Sequence, residues 1–245
     1  MLYDPDRAQS KAIIQTLVES GADALELGIA FSDPLADGPT IQKAGLRALK
    51  NHATVNDSLE LVREIRAQYP DIAIGILTYA NLIFRNSLAW FYSRALACGV
   101  DSVLVADVPI LEIQPYFDAA VKHGIDPVLI APSNLPQARL SEIAHYCRGY
   151  TYVVTRTGVT GANEEVKFHH KEFLEALKDA KAPPAVFGFG ISTPAHVRAA
   201  LKEGAVGVIS GSKVVSIIEE NLGKPKEMLS ELSAFVKVMK AATHL

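Results

Sequence analysis

Residues 24–44 read ALELGIAFSDPLADGPTIQKA, and the first six look like a buried strand whose only charged side chain is Glu26. Alternation along a strand puts Ala24, Glu26 and Gly28 on one face and Leu25, Leu27 and Ile29 on the other. A lone carboxylate between two small residues has room around it and little water. Burying it is costly unless it is paired, and desolvation raises its pKa. Just downstream, Ser32-Asp33-Pro34 and Asp37-Gly38-Pro39 are dense turn signals. They make a loop with two further carboxylates, short enough to fold over the strand end. A raised acid on a strand end with an ionised partner above it suits acid/base chemistry at neutral pH. A structural ion pair beneath a turn-rich loop would give the same pattern.

Composition narrows the class. The chain has 245 residues, 49% hydrophobic and 21% charged, with a net charge of −3. That fits one α/β domain spanning 1–245 and argues against nucleic acid or a membrane surface as the main partner. Cys98 and Cys147 form no CxxC pair, which points to free thiols in a reducing cytosol and a cytoplasmic protein. No apolar run approaches the roughly 20 residues of a membrane span. The seven histidines show no metal-ligand spacing, so no metal is expected.

Outward from the opening stretch, helical and extended patterns alternate. Helices are expected at 8–19, 54–68, 87–98, 112–123, 136–147, 170–179 and 194–203. Strands are expected at 24–29, 71–77, 101–107, 127–131, 150–155, 184–190 and 205–211, with two helices last, the second carrying Met228, Leu232, Phe235 and Met239 on one stripe. The strands are short and nearly all apolar, as in a parallel sheet covered on both faces. About seven strands suit a doubly wound open sheet and fall one short of a (β/α)₈ barrel.

Phosphate motifs favour the barrel. Gly188-Phe189-Gly190-Ile191-Ser192-Thr193-Pro194 ends one strand and opens a helix, with Thr193 a fit N-cap and Pro194 at the first helical position. Ile209-Ser210-Gly211-Ser212 repeats the arrangement one strand later. Two such junctions on the last two strands match the usual barrel phosphate site. The loop Arg156-Thr157-Gly158-Val159-Thr160-Gly161 adds amides and a hydroxyl, at a length suited to a lid. No GxxxxGK[ST] run is present, which argues against a P-loop nucleotide site.

With LELGIAFSDPLADGPTIQKA, DSVLVADVP, RTGVTG, GFGIS and ISGS in order, the chain closely resembles the tryptophan synthase α subunit family from about Asp4 to the C-terminal helix. The resemblance implies a (β/α)₈ TIM barrel and the reversible cleavage of indole-3-glycerol phosphate to indole and glyceraldehyde 3-phosphate. It implies no cofactor in this chain and a β-subunit partner, carrying pyridoxal phosphate, in an α2β2 assembly. Residue by residue, it places the catalytic glutamate on Glu26 and the catalytic aspartate on Asp37. Leu77, Tyr79, Leu104 and Tyr152 would wall the indole pocket. Thr160, Gly161, Phe189, Gly190, Gly211 and Ser212 complete the expected substrate contacts, with phosphate on amides of Gly161, Gly190, Gly211 and Ser212.

Two departures stand out. Ala30 occupies a position usually held by proline, which removes no chemical group. The family also begins with a helix and a first barrel strand ahead of Leu2, which gives the expectation of a shortened chain with Met1 internal and seven strands in place of eight. A noncatalytic module that only docks a β subunit, through loops around Asp33 and Asp107, is the competing reading. A Schiff-base aldolase barrel is weaker, since it needs a lysine inside a strand and the expected strands contain none.

Overall fold

Seven short parallel strands run through the middle of the chain, each followed by helix. The computed structural model describes residues 1–154, 170–188 and 190–244, with the side chain of Gln137 excepted. In order the elements are α1 (Arg7–Glu19), β1 (Ala24–Gly28), α2 (Pro39–Lys50), α3 (Val55–Gln68), β2 (Ala73–Thr78), α4 (Ala80–Phe84), α5 (Leu88–Ala97) and β3 (Ser102–Val105). A single 3₁₀ turn, Ile110–Glu112, leads to α6 (Gln114–Lys122), β4 (Asp126–Pro132), α7 (Gln137–Tyr146) and β5 (Thr151–Val154). Then come α8 (Lys171–Asp179), β6 (Ala185–Gly188), α9 (Pro194–Glu203), β7 (Gly207–Val208), α10 (Ser212–Glu220) and α11 (Pro225–Ala241).

The strands pair strictly in chain order, β1-β2-β3-β4-β5-β6-β7, and every pair is parallel. A doubly wound sheet reverses its strand order at a switch point, whereas sequential order is that of a curling barrel wall. This decides between the two architectures that periodicity leaves open. Outward-facing Leu25, Leu27, Ile74, Ile76, Val103, Val153 and Phe187 are buried with the helices in the main core. Inward-facing Leu104, Val128, Tyr152 and Val154 form a second cluster with Leu77, Ile130 and Tyr150.

The expected helices all form, with ends shifted by a few residues, as frayed termini allow. Thr54 closes a capping box with Asp57 at the start of α3, and Asp6 caps α1 through the Gln9 amide. The sequence reading assigns no helix to 39–50, where the structure forms α2. Its start follows the rule that proline suits the first turn, with Pro39 directly after an extended Gly38. The last strand is shorter than the expected 205–211. Gly207 gives it no side chain to pack, and β6 is its only neighbour in the sheet.

Strands β1 and β7 are the two edges of the described sheet, yet the helical layer is continuous across them. On one side α11 packs on α1, with Ile13, Ile217, Ile218, Met228 and Leu232 buried together. Ser20 Oγ donates to Ser233 Oγ at 2.8 Å. On the other side α10 packs on α2, and Lys43 Nζ meets Glu219 Oε1 at 3.0 Å. Beside it, Arg47 grips Asp4 through two bonds, Nε to Oδ1 at 2.6 Å and Nη2 to Oδ2 at 3.0 Å. Leu2 is buried, and its N–H donates to the carbonyl of Gly28 at 2.9 Å.

Asp4 is only 1% exposed, so Arg47 is what makes its burial tolerable. Removing one partner of a buried ion pair strands the other charge. Arg47→Ala is therefore expected to destabilise the fold by about 3 kcal/mol in urea unfolding at pH 7. A loss under about 1 kcal/mol would show that Asp4 is not held by this pair.

Candidate active site

Glu26 sits at the centre of β1 and points inward. The burial of β1 alternates as its sequence demands, with Leu25 and Leu27 buried against helices and Glu26 half-buried on the opposite face. Its lateral neighbour in β2 is Gly75, which in turn pairs with Ser102 of β3. A Cβ on Gly75 would lie 2.8 Å from Ser102 Oγ, so the absent side chain lets Ser102 sit close against β2. The Tyr150 hydroxyl donates to Glu26 Oε1 at 2.6 Å. Burial pushes the Glu26 carboxyl up to about 7, against the weaker opposing pull of Tyr150. A group so placed divides its population between acid and base near neutrality.

Asp37 lies in the loop between β1 and α2, two residues before the start of the helix. Local backbone bonds fold this loop, Leu35 N–H to Asp33 O at 3.0 Å and Asp37 N–H to Pro34 O at 3.1 Å. The Gln42 side chain also donates to the Asp37 carbonyl at 2.8 Å. Burial raises the Asp37 carboxyl above its ordinary range, while a hydrogen bond from Tyr79 works in the opposite direction.

Both carboxyls line one cavity of about 1600 Å³. It runs through the inside of the curled sheet and reaches α1 and α11 between the edge strands. Leu77, Tyr79, Leu104 and Tyr152 line it as well, together with Gly190, Gly211 and Ser212. The structure thus brings nine of the expected site residues to one surface: Glu26, Asp37, those four walls and those three phosphate-side residues. Thr160, Gly161 and Phe189 lie outside the described residues, as does the loop 156–161.

The Tyr152 ring covers β6, and a Cβ on Gly188 would fall 2.1 Å from its hydroxyl oxygen. Burial and the nearby Glu26 charge both push the Tyr152 phenol upward, so it remains protonated. Gly75 and Tyr150 are site components that the sequence reading does not single out. A glycine inside an otherwise apolar strand and the YTY alternation are the signals that carried them.

The two loops at the C-terminal ends of β6 and β7 are tied together. Ser210 Oγ donates to the Ile191 carbonyl at 2.6 Å. Thr193 caps α9 by accepting from the His196 amide at 3.3 Å, with Pro194 next in line. Gly190 has φ 78°, a conformation that favours glycine. Gly211 is different. Its φ is −97° and an added Cβ would meet nothing within 4 Å. Neither backbone strain nor packing asks for glycine there.

Arrangement and ancestry agree. The family described as "Tryptophan synthase alpha chain" matches residues 1–244. The tryptophan synthase alpha chain of Pectobacterium atrosepticum is 53% identical over 242 residues, covering 99% of this chain and 90% of that protein. That of Salmonella typhimurium is 52% identical over 244 residues with the same coverage. Among solved structures, one from the tryptophan synthase α2β2 complex of Pyrococcus furiosus superposes with a TM-score of 0.88 at 37% identity, covering 98% of this chain and 94% of that one. The alpha subunit of Legionella pneumophila gives 0.86 at 29% identity, with 98% and 89% covered. A family match over residues 1–244, with relatives 52–53% identical across 99% of this chain, makes the chain a member of the tryptophan synthase alpha chain family.

Proposed function

We infer that this chain is a lyase that cleaves indole-3-glycerol phosphate into indole and glyceraldehyde 3-phosphate, with Glu26 and Asp37 as its catalytic pair. The observation that carries the assignment of residues is one carboxyl raised to about 7 by burial, inside the cavity that Asp37 also lines. Breaking the C3–C3′ bond requires indole to depart as a neutral ring, which a proton delivered to ring C3 achieves. Glu26 in its acid form supplies that proton. It then accepts the proton of the glycerol hydroxyl as the aldehyde forms, so the carboxyl ends each cycle as it began. Asp37, ionised, accepts the indole N–H and balances the positive charge that builds on the ring.

The remaining assignments belong to the same reading. Leu77, Tyr79, Leu104 and Tyr152 wall the indole, and amides at Gly190, Gly211 and Ser212 receive the phosphate, with Gly161 in the same role and Thr160 and Phe189 in contact with substrate. The reading treats 1–245 as one barrel domain, needs no cofactor in this chain, and pairs it with a β subunit in an α2β2 assembly, pyridoxal phosphate belonging to the β subunit. No helix among the described residues is long and apolar enough to cross a membrane. A cytoplasmic location is part of the reading and rests on Cys98 and Cys147, both buried free thiols, as a reducing compartment keeps them.

Glu26→Gln separates catalysis from stability, because the two move in opposite directions. Loss of a general acid is expected to lower kcat by about 10²–10⁴ in a steady-state cleavage assay. In the parent, the folded state binds the Glu26 proton more tightly than the unfolded chain, so stability declines as pH rises from about 4.5 to about 7. The variant has no such proton to lose. Its unfolding free energy is expected to match the parent's below pH 4.5 and to exceed it above pH 7, by an amount on the order of 1–3 kcal/mol. Retained cleavage in Glu26→Gln would sink the assignment.

Gly211→Ala tests the phosphate site without disturbing the fold. The methyl group has free space, so Tm should stay within about 1 °C while KM for the phosphorylated substrate rises at least about threefold. An unchanged KM would remove Gly211 from the site.

A further inference from the structure

The Asp37 carboxylate has little within its own loop to hold it in place. Ser32, Asp33 and Leu35 are exposed, with Leu35 at 82%. The backbone bonds that fold the loop do not engage the Asp37 carboxyl group itself. One fully buried side chain reaches across from another strand. Tyr79, directly after β2, is 1% exposed, and its hydroxyl lies against the loop. It accepts the Ala36 N–H at 3.3 Å, one residue before Asp37, and its presence favours the charged form of the Asp37 carboxyl.

Tyr79 is itself fixed at both ends. Its ring stacks on Phe31, with centroids 5.2 Å apart and planes at 30°. Its backbone is extended, at φ −118° and ψ 150°, and forms the N-cap of α4. The first amide of that helix, Ala80 N–H, donates to Asp107 Oδ1 at 2.8 Å. Through Tyr79 the loop after β1 is therefore locked to the end of β2 and, by way of Asp107, to the end of β3.

We propose that Tyr79 is a positioning residue for Asp37, its hydroxyl holding the loop that carries the carboxylate by accepting the Ala36 amide. This rests on the catalytic role of Asp37 inferred above and goes beyond a wall contact, because a wall needs only the ring. Removing the hydroxyl while keeping the ring, Tyr79→Phe, leaves the Phe31 stacking in place and releases the loop at Ala36. The charged groups facing this pair are the Met1 amino group, which acts on Asp37, and Asp107, which acts on Tyr79. Both groups are unaltered in the variant.

The test is a double-mutant cycle with Tyr79→Phe, Asp37→Asn and both together, in the full chain, reading kcat and KM for indole-3-glycerol phosphate cleavage. Tyr79→Phe is expected to lower kcat/KM by about 10–100-fold, most of it in kcat. Because Tyr79 acts through Asp37, the double variant should be no slower than Asp37→Asn alone. Carbon-13 NMR of the Asp37 carboxyl supplies a readout independent of turnover. Its titration midpoint should move to higher pH in Tyr79→Phe, since a group that favours the ionised form has been lost. Losses that multiply in the double variant, or a midpoint the same in parent and Tyr79→Phe, would overturn the proposal. Failure of the parent chain to cleave the substrate would overturn the functional reading instead, and the Asp37 titration would still decide the role of Tyr79.

Discussion

A half-buried carboxyl on the inner wall of a sheet is the constraint around which this structure is arranged. Glu26 has one hydrogen-bond donor, Tyr150, and no cation beside it among the described residues. Bringing such a group inside is unfavourable by several kcal/mol in its charged form, so the protein settles the cost by keeping the proton within reach at neutral pH. Everything close to the carboxyl is consistent with that choice. Leu77 and Leu104 line the same cavity, and Tyr150 and Tyr152 present phenols whose protons stay on. An arginine in any of these places would have pinned the carboxyl in its ionised form and ended its use as an acid.

The frame that maintains this arrangement is built mainly outside the sheet. Where β1 and β7 form its edges, α1 with α11 and α2 with α10 complete the ring. Side-chain bonds such as Ser20 to Ser233 and Lys43 to Glu219 connect residues from opposite ends of the chain. This couples the two halves of the site. Helix α2 begins two residues after Asp37, and α10 begins at Ser212, so the Asp37 loop and the turn at Gly211 sit at the starts of two helices packed on each other.

Much of the fold is legible in the sequence because its signals are local. Apolar runs bounded by glycine and proline locate all seven strands, and capping residues such as Thr54 and Thr193 locate helix starts. The inward direction of Glu26 comes from alternation alone. The features that sequence does not show depend on contacts between distant residues. Tyr150 meets Glu26 across 124 residues, and Gly75 matters only because Ser102 lies behind it. Helix α2 is masked because the turn formers at 32–39 run directly into its first turn, where Pro39 reads as easily as loop. Periodicity also cannot choose between barrel and open sheet, since strand order is a property of pairing. The hydroxyl of Tyr79 is the same kind of case, because sequence places its ring in the pocket but not its bond to the Asp37 loop.

The most direct test of this account is the titration of Glu26 itself, monitored by carbon-13 NMR of its carboxyl in the full chain without substrate. The account predicts a midpoint near 7, moving further upward when Tyr150→Phe removes the donor that favours the charged form. A midpoint of about 4.5, the ordinary glutamate range, would mean that the cavity is wet and the carboxyl ionised. Glu26 could not then serve as the acid, and the account built on its burial would be wrong.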